Sequence, residues 1–302
     1  MKRLYRNARI ASEDSPKLET ADVLVEGGRI IGVAGGMTGV SDAEEIDCAG
    51  RVLLPALFDV HVHAREPGQE QKENIASCAE AAINGGVTGF VMMPNTSPAI
   101  DNGGMVQTVL DSARATRIGR SIFTTGAITK NRKGEALAGI AGMKKAGAVM
   151  LTDDGAPVEN PQVLRRAMEY ARDHGLALAC HCEMMALSGK GCMHEGSVSY
   201  SLGLPGIPSI SEEICIARDI RLAEFTGVHL HIQHVTTARG NCSRVWSTVV
   251  STSSRPTTRR TRLSTRIRIS PARPLASRVS KPCFRACSTA SFRRTFSAGM
   301  SW

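Results

Sequence analysis

The stretch Leu53-Leu54-Pro55-Ala56-Leu57-Phe58-Asp59-Val60-His61-Val62-His63-Ala64-Arg65-Glu66-Pro67-Gly68 decides how the rest of the chain is read. An apolar run ends on two histidines with one residue between them. Residues i and i+2 of a β-strand point to one face. His61 and His63 would therefore offer two imidazoles side by side, as a metal ion requires. Taken alone, a His-x-His pair also fits an ordinary surface or core strand. The Arg65-Glu66-Pro67-Gly68 that follows, and later acidic and histidine segments, give the metal reading its weight.

Working outward, the pattern is strand and helix in alternation. Candidate strands are Val52–His63, Gly89–Asn95, Ser121–Thr129, Ala148–Asp153, Leu176–Cys182 and His229–Val235. Helical stretches such as Ile75–Asn84 and Val163–His174 lie between them. Most strands recur at about 30 residues, the length of a βαβ unit, which predicts a parallel sheet and most simply a (β/α)8 barrel. The longer gap before the sixth strand holds a loop, Gly203-Leu204-Pro205-Gly206-Ile207-Pro208. A helix then opens at Ser209, with Glu212 completing a capping box. Before residue 52 the signals are short strands: Val23 and Val25 alternate, Glu26-Gly27-Gly28-Arg29 turns, and Ile30-Ile31-Gly32-Val33 returns.

The length of 302 residues suffices for one large α/β domain with a substantial core. The net charge of +9 comes from one end of the chain. Residues 1–240 hold 24 Lys+Arg and 28 Asp+Glu, a balance of −4; residues 241–302 hold 13 Lys+Arg and no acid. The mildly acidic body suggests no nucleic-acid partner. The start lacks the apolar core of a signal peptide, and no apolar run approaches the ~20 residues of a membrane span, so a cytoplasmic location is expected. The nine cysteines have no regular spacing and read as reduced, mostly buried thiols. Cys180 and Cys182 flank His181, but on a strand both thiols face away from the imidazole, which argues against a cysteine–zinc site.

Residues 241–302 differ from everything before them. They hold 21 Ser+Thr, 12 Arg and one Gly, with no His. A shift of reading frame near codon 240 accounts for the sudden loss of acids. An arginine-rich, RNA-binding arm is the other reading, and scattered arginines without Tyr or repeated Gly motifs fit it poorly. Either way a disordered segment is expected.

Five segments in order carry a family resemblance. They are Asp59-Val60-His61-Val62-His63-Ala64-Arg65-Glu66-Pro67-Gly68, Met93-Pro94-Asn95-Thr96, Thr152-Asp153-Asp154-Gly155, Cys180-His181-Cys182-Glu183 and His234-Val235-Thr236-Thr237. From about residue 20 to Gly240 the chain resembles the dihydroorotases of the amidohydrolase superfamily. The resemblance implies a TIM barrel over 55–240, with residues 1–54 as the N-terminal part of a small β-sandwich. The barrel is incomplete at about six strands, and 241–302 form a tail outside it. It implies two zinc ions per subunit: His61 and His63 on the first, Asp153 bridging, His181 and His234 on the second. Many relatives bridge with a carboxylated lysine; here a carboxylate takes that place, with Asp154 behind Asp153. His234 is taken over His229 and His231 because the motif places it and Leu230 and Ile232 lead into it.

The implied reaction is reversible hydrolysis of L-dihydroorotate to N-carbamoyl-L-aspartate, a step toward pyrimidines. Arg65 would clamp the substrate carboxylate and Asn95 would be a second substrate contact. The family's proton-carrying aspartate at the end of strand eight has no counterpart, since the last aspartate is Asp219. No catalytic residue is therefore assigned, and the chain as written is expected to be inactive. The alternatives are a hydantoinase- or allantoinase-like cyclic amidase, and a non-catalytic partner of a transcarbamoylase. A homodimer or a transcarbamoylase contact are the partners the family suggests.

Overall fold

The computed structural model describes residues 1–11 and 17–237 in full, and residues 268–271 as backbone. Two compact units are formed, one from Met1–Ala56 and one beginning at Leu57.

In the first unit β1 (Lys2–Ile10) pairs antiparallel with β2 (Glu19–Glu26), which pairs antiparallel with β3 (Arg29–Ala34). β4 (Glu44–Asp47) and β5 (Val52–Leu53) run parallel to β1 on its other side. The turn expected at Glu26-Gly27-Gly28-Arg29 is made with φ of 58° and 79° at the two glycines. Positive φ at both central residues matches the twist of the flanking strands, and glycine adopts it without steric cost. Leu4, Ala8 and Val23 are the buried apolar residues of this sheet.

The apolar run expected as one strand, Val52–His63, is two. β5 belongs to the first unit and β6 (Leu57–Val62) to the second. Leu54-Pro55-Ala56 separates them, and Pro55 has no N–H to give to a ladder.

The second unit repeats strand and helix. After β6 come α1 (Ile75–Asn84), β7 (Val87–Met92), α2 (Gly103–Arg114), β8 (Ile122–Gly126), α3 (Ile140–Ala146), β9 (Met150–Thr152), α4 (Pro161–Asp173) and β10 (Ala177–Cys180). An excursion follows through α5 (Met185–Ser188), β11 (Met193–His194), α6 (Ser197–Leu202) and β12 (Gly206–Ile207), and α7 (Ile210–Thr226) leads to β13 (Leu230–Val235). The strands form one parallel sheet in the order β6-β7-β8-β9-β10-β13. Each new strand lies beside the last, the singly wound order of a barrel wall.

No strand was expected after residue 240. The structure adds one: β14 (Arg268–Pro271) pairs in parallel with β13. The outer edge of β13 otherwise presents unpaired backbone groups that accept any extended segment. Among the described residues the sheet has seven strands, short of the eight of a closed barrel.

Helices start where asparagines cap them. Asn74 and Asn102 accept the backbone N–H three residues on, at Ser77 and Met105, and Asn160 accepts those of Gln162 and Val163 before Pro161 opens α4. Each such cap stabilises by about 1 kcal/mol. The buried stripe of α4 is Leu164, Ala167, Met168 and Ala171, the i, i+3, i+4, i+7 spacing of one helix face. These side chains join Phe90, Met92, Ile122, Leu151 and Leu178 of the strands in a continuous core. Burying each large apolar side chain is worth about 1.5–3 kcal/mol.

The capping box expected at Ser209 and Glu212 is not made: Ser209 has helical dihedrals and caps nothing through its side chain. Glu212 turns instead to the loop after β13, where its carboxylate accepts the Thr236 and Thr237 N–H groups and the Thr236 hydroxyl. The loop expected at Gly203–Pro208 contains β12, paired in parallel with β11. Among the described residues no helix is long and apolar enough to cross a membrane.

Candidate metal and substrate site

The sheet delivers the site. His61 lies near the end of β6, His63 just beyond it, Asn95 past β7, Asp153 and Asp154 past β9, His181 past β10 and His234 near the end of β13. All stand at the C-terminal edge, where barrels carry their chemistry. The Arg65–Gly68 segment then turns away. Glu66 caps α1 by accepting the Ile75 N–H at 2.8 Å. Gly68 has φ of 89°, and a Cβ there would run into the Ser97 carbonyl.

Four imidazoles converge as two pairs. His61 Nε2 lies 3.2 Å from His63 Nε2, and His181 Nδ1 lies 2.9 Å from His234 Nε2. One carboxylate stands between the pairs. Asp154 Oδ2 is 3.5 Å from His61 Nε2 and 3.3 Å from His63 Nε2; Oδ1 is 3.1 Å from His234 Nε2 and 3.7 Å from His181 Nδ1. Asp154 is buried, and burial alone would raise its pKa; hydrogen bonds from His181, His234 and His61 overcome that and hold it far below the usual carboxylate range.

This exchanges the roles expected for the two aspartates. Asp153 does not reach the histidines. Its carboxylate accepts the N–H groups of Ile128 and Thr129 and the Thr129 hydroxyl, tying down the loop after β8. Burial pushes it up to about 6 against those hydrogen bonds. Consecutive residues leaving a strand point to opposite sides, so only one of the pair faces the cluster. Arg132 fixes that choice from outside by donating to the Asp154 carbonyl at 2.7 Å.

His234 reaches the cluster by a route the strand pattern did not suggest. Period-2 alternation puts Gln233 and His234 on opposite faces. Gln233 is already on the site side: its Oε1 accepts the Thr152 hydroxyl at 3.1 Å, and its Nε2 lies 3.2 Å from His61 Nδ1. The backbone at His234 has φ of 29°, which breaks the alternation and brings its ring within 5.3 Å of the His61 ring. The apolar lead-in of Leu230 and Ile232 therefore belongs to the buried core, not to the face His234 takes.

Outer contacts orient the rings. Asn95 Oδ1 is 2.9 Å from His63 Nδ1, and Glu183 Oε2 is 3.2 Å from His181 Nε2. Burial lowers the pKa of His63, against Asn95 and Asp154; for His181 burial also lowers it, but Asp154 and Glu183 outweigh that and raise it. Arg65 is half-buried with φ of 63°, close enough to His63 to depress it further; its carbonyl accepts the Gln69 N–H at 3.2 Å, while its guanidinium forms no hydrogen bond or ion pair among the described residues. Glu183, Gln233, Arg132 and Glu212 were not singled out from sequence for these contacts. Only Glu183 carried a signal, its i+2 spacing from His181.

The donor set fits metal ions. Nitrogens about 2.0–2.1 Å from a tetrahedral ion lie about 3.3 Å apart, close to the spacing within each pair. In His63 and His181 the outer nitrogen is engaged, leaving the inner one as the donor.

A family model for dihydro-orotase-like proteins matches residues 50–240. The chain belongs to the dihydroorotase-like family. Curated dihydroorotases similar to it include that of Pelobacter propionicus, 42% identical over 238 residues, covering 79% of this chain and 56% of the relative. That of Syntrophotalea carbinolica is 45% identical, covering 78% and 55%. The dihydroorotase-like chain thus spans a little over half the length of these relatives. Among solved structures it is similar to the L-hydantoinase of Arthrobacter aurescens, with TM-score 0.66 and 19% identity over 82% of this chain and 56% of that one. A dihydropyrimidinase from Brevibacillus agri NCHU1002 gives TM-score 0.62 at 19% identity, over 83% and 55%. These likenesses show the amidohydrolase fold. The family match stops at residue 240, where the composition of the dihydroorotase-like chain changes.

Proposed function

We propose that this chain is built around the site for reversible hydrolysis of L-dihydroorotate to N-carbamoyl-L-aspartate, with two divalent ions, zinc in keeping with the family, held among its histidines. The observation that carries the reading is the Asp154 carboxylate, one oxygen turned to His61 and His63 and the other to His181 and His234. In this reading Asp154 and the four histidines would hold the ions. The chemistry supplied there, with the ions bound, would be a lowered pKa for water and Lewis-acid polarisation of the amide carbonyl.

The remaining work falls to the chain's own groups. Asn95 and Glu183 hold the His63 and His181 rings so that their inner nitrogens face the ions. Beside His63, Arg65 offers a guanidinium with no hydrogen-bond or ion-pair partner among the described residues, and two parallel charge-assisted hydrogen bonds from it suit the carboxylate of dihydroorotate. That favours an anionic cyclic amide over a neutral hydantoin. With Asn95 Oδ1 engaged by His63, its amide nitrogen is the group left to donate to substrate. Asp219, the last aspartate in the sequence, is buried in α7 and paired with Arg218. The reading is therefore tested on binding. Metal analysis of the purified 302-residue chain is expected to show close to two equivalents that are lost in Asp154→Ala. Unchanged metal content in that variant would overturn it.

A further inference from the structure

The geometry points to a second metal site, separate from the histidine cluster, in which Cys182, Cys215 and Asp219 hold a soft or borderline divalent cation of the zinc or cadmium class. Alternation past β10 sends His181 to the cluster and Cys180 and Cys182 to the opposite side, against α7. There Cys182 Sγ lies 3.5 Å from Asp219 Oδ2, and Cys215 Sγ lies 4.0 Å from the same oxygen. The three donor atoms all fall within 4.8 Å of one another, and all three residues are buried. Cys215 and Asp219 are four apart on α7, so one helix face presents both.

The spacing is near what such an ion imposes. With metal–sulfur and metal–oxygen bonds of about 2.3 and 2.0 Å in a tetrahedron, sulfur and oxygen lie about 3.5 Å apart and two sulfurs about 3.8 Å. Asp219 is already oriented: Arg218 Nε donates to Oδ1 at 2.8 Å, which leaves Oδ2 facing the thiols. Arg218 Nη2 lies 3.5 Å from Cys215 Sγ, ready to support a thiolate. The charges close. Two thiolates and one carboxylate balance one guanidinium and one divalent cation, so the loaded site is neutral, as a buried charge cluster needs to be. Each thiol passes its proton to solvent as its sulfur–metal bond forms. A small cavity lined by Cys180, His181, Arg218, Asp219, Asp153 and Leu164 adjoins Asp219.

The site stands apart from the reading of the histidines, and sulfur gives it its own signal. The purified 302-residue chain, stripped with chelator, is titrated with cobalt(II). The expected result is a near-ultraviolet sulfur-to-cobalt charge-transfer band that zinc bleaches. It is lost in Cys215→Ser and in Cys182→Ser and kept in His61→Ala. Asp219→Asn, which preserves size, is expected to weaken it. Visible cobalt bands from the histidine cluster, retained in the cysteine variants, show that those variants are folded. Filling of the histidine cluster with no charge-transfer band would overturn the proposal and leave the thiols as hydrogen-bond donors to Asp219. A band that survives in both cysteine variants would overturn it equally, placing the sulfur ligands elsewhere.

Discussion

Asp154 Oδ1 lies 3.1 Å from His234 Nε2, although 80 residues separate them in the chain. The contact joins the ends of β9 and β13, which are not neighbours in the sheet, and it sets Asp154 rather than Asp153 at the centre of the site.

The two aspartates should therefore fail differently. Asp154→Ala is expected to lose bound metal with a modest change in stability. Asp153→Ala is expected to keep metal but unfold at lower temperature, because the Ile128 and Thr129 N–H groups lose their acceptor. A buried donor left unsatisfied costs about 1–3 kcal/mol. Metal analysis and thermal melts of the two variants check this, and metal loss confined to Asp153→Ala would reverse the assignment.

Arg65 tests the substrate class. In the metal-loaded chain, Arg65→Met should weaken N-carbamoyl-L-aspartate binding about 10²-fold, since each hydrogen bond to a charged group contributes about 1.5–3 kcal/mol. A neutral cyclic amide should lose far less. Calorimetric titration with both ligands measures the difference, and equal losses would make Arg65 structural.

Glu212 holds the segment after His234. Glu212→Ala removes the acceptor for the Thr236 and Thr237 N–H groups. Their amide exchange should become faster by about tenfold for each 1.4 kcal/mol lost. The Leu178 amide, donated within the sheet to the His229 carbonyl, should change much less. Equal acceleration at Leu178 would show global destabilisation instead of a released loop.

The helix caps give a fourth check. Asn102→Ala should cost about 1 kcal/mol through the lost bond to the Met105 N–H, while Asn102→Asp should cost little. Denaturant unfolding of the full chain reads both. No difference between them would mean that α2 does not depend on this cap.

Much was legible in the sequence because it is local. The hydrophobic runs, the roughly 30-residue spacing and the ligands at strand ends specified a parallel strand–helix wall, and α1 spans the expected Ile75–Asn84. The motifs also named the four histidines that converge. Where a local signal was overridden, a backbone group explains it: Pro55 divides the expected Val52–His63 strand, and Glu212 answers to Thr236 and Thr237 instead of Ser209. Tertiary structure decided the rest. Alternation fixes that Asp153 and Asp154 point opposite ways, but not which way. That sign comes from Thr152 meeting Gln233 across the sheet and from Arg132 holding the Asp154 carbonyl. His234 enters only because its backbone leaves the strand conformation. Cys182 meets Cys215 and Asp219 only because α7, packed on α4 and β13, comes back to the segment after β10. A sequence states the period of each strand and helix, and packing sets the direction each face takes, because burial is settled between segments far apart in the chain.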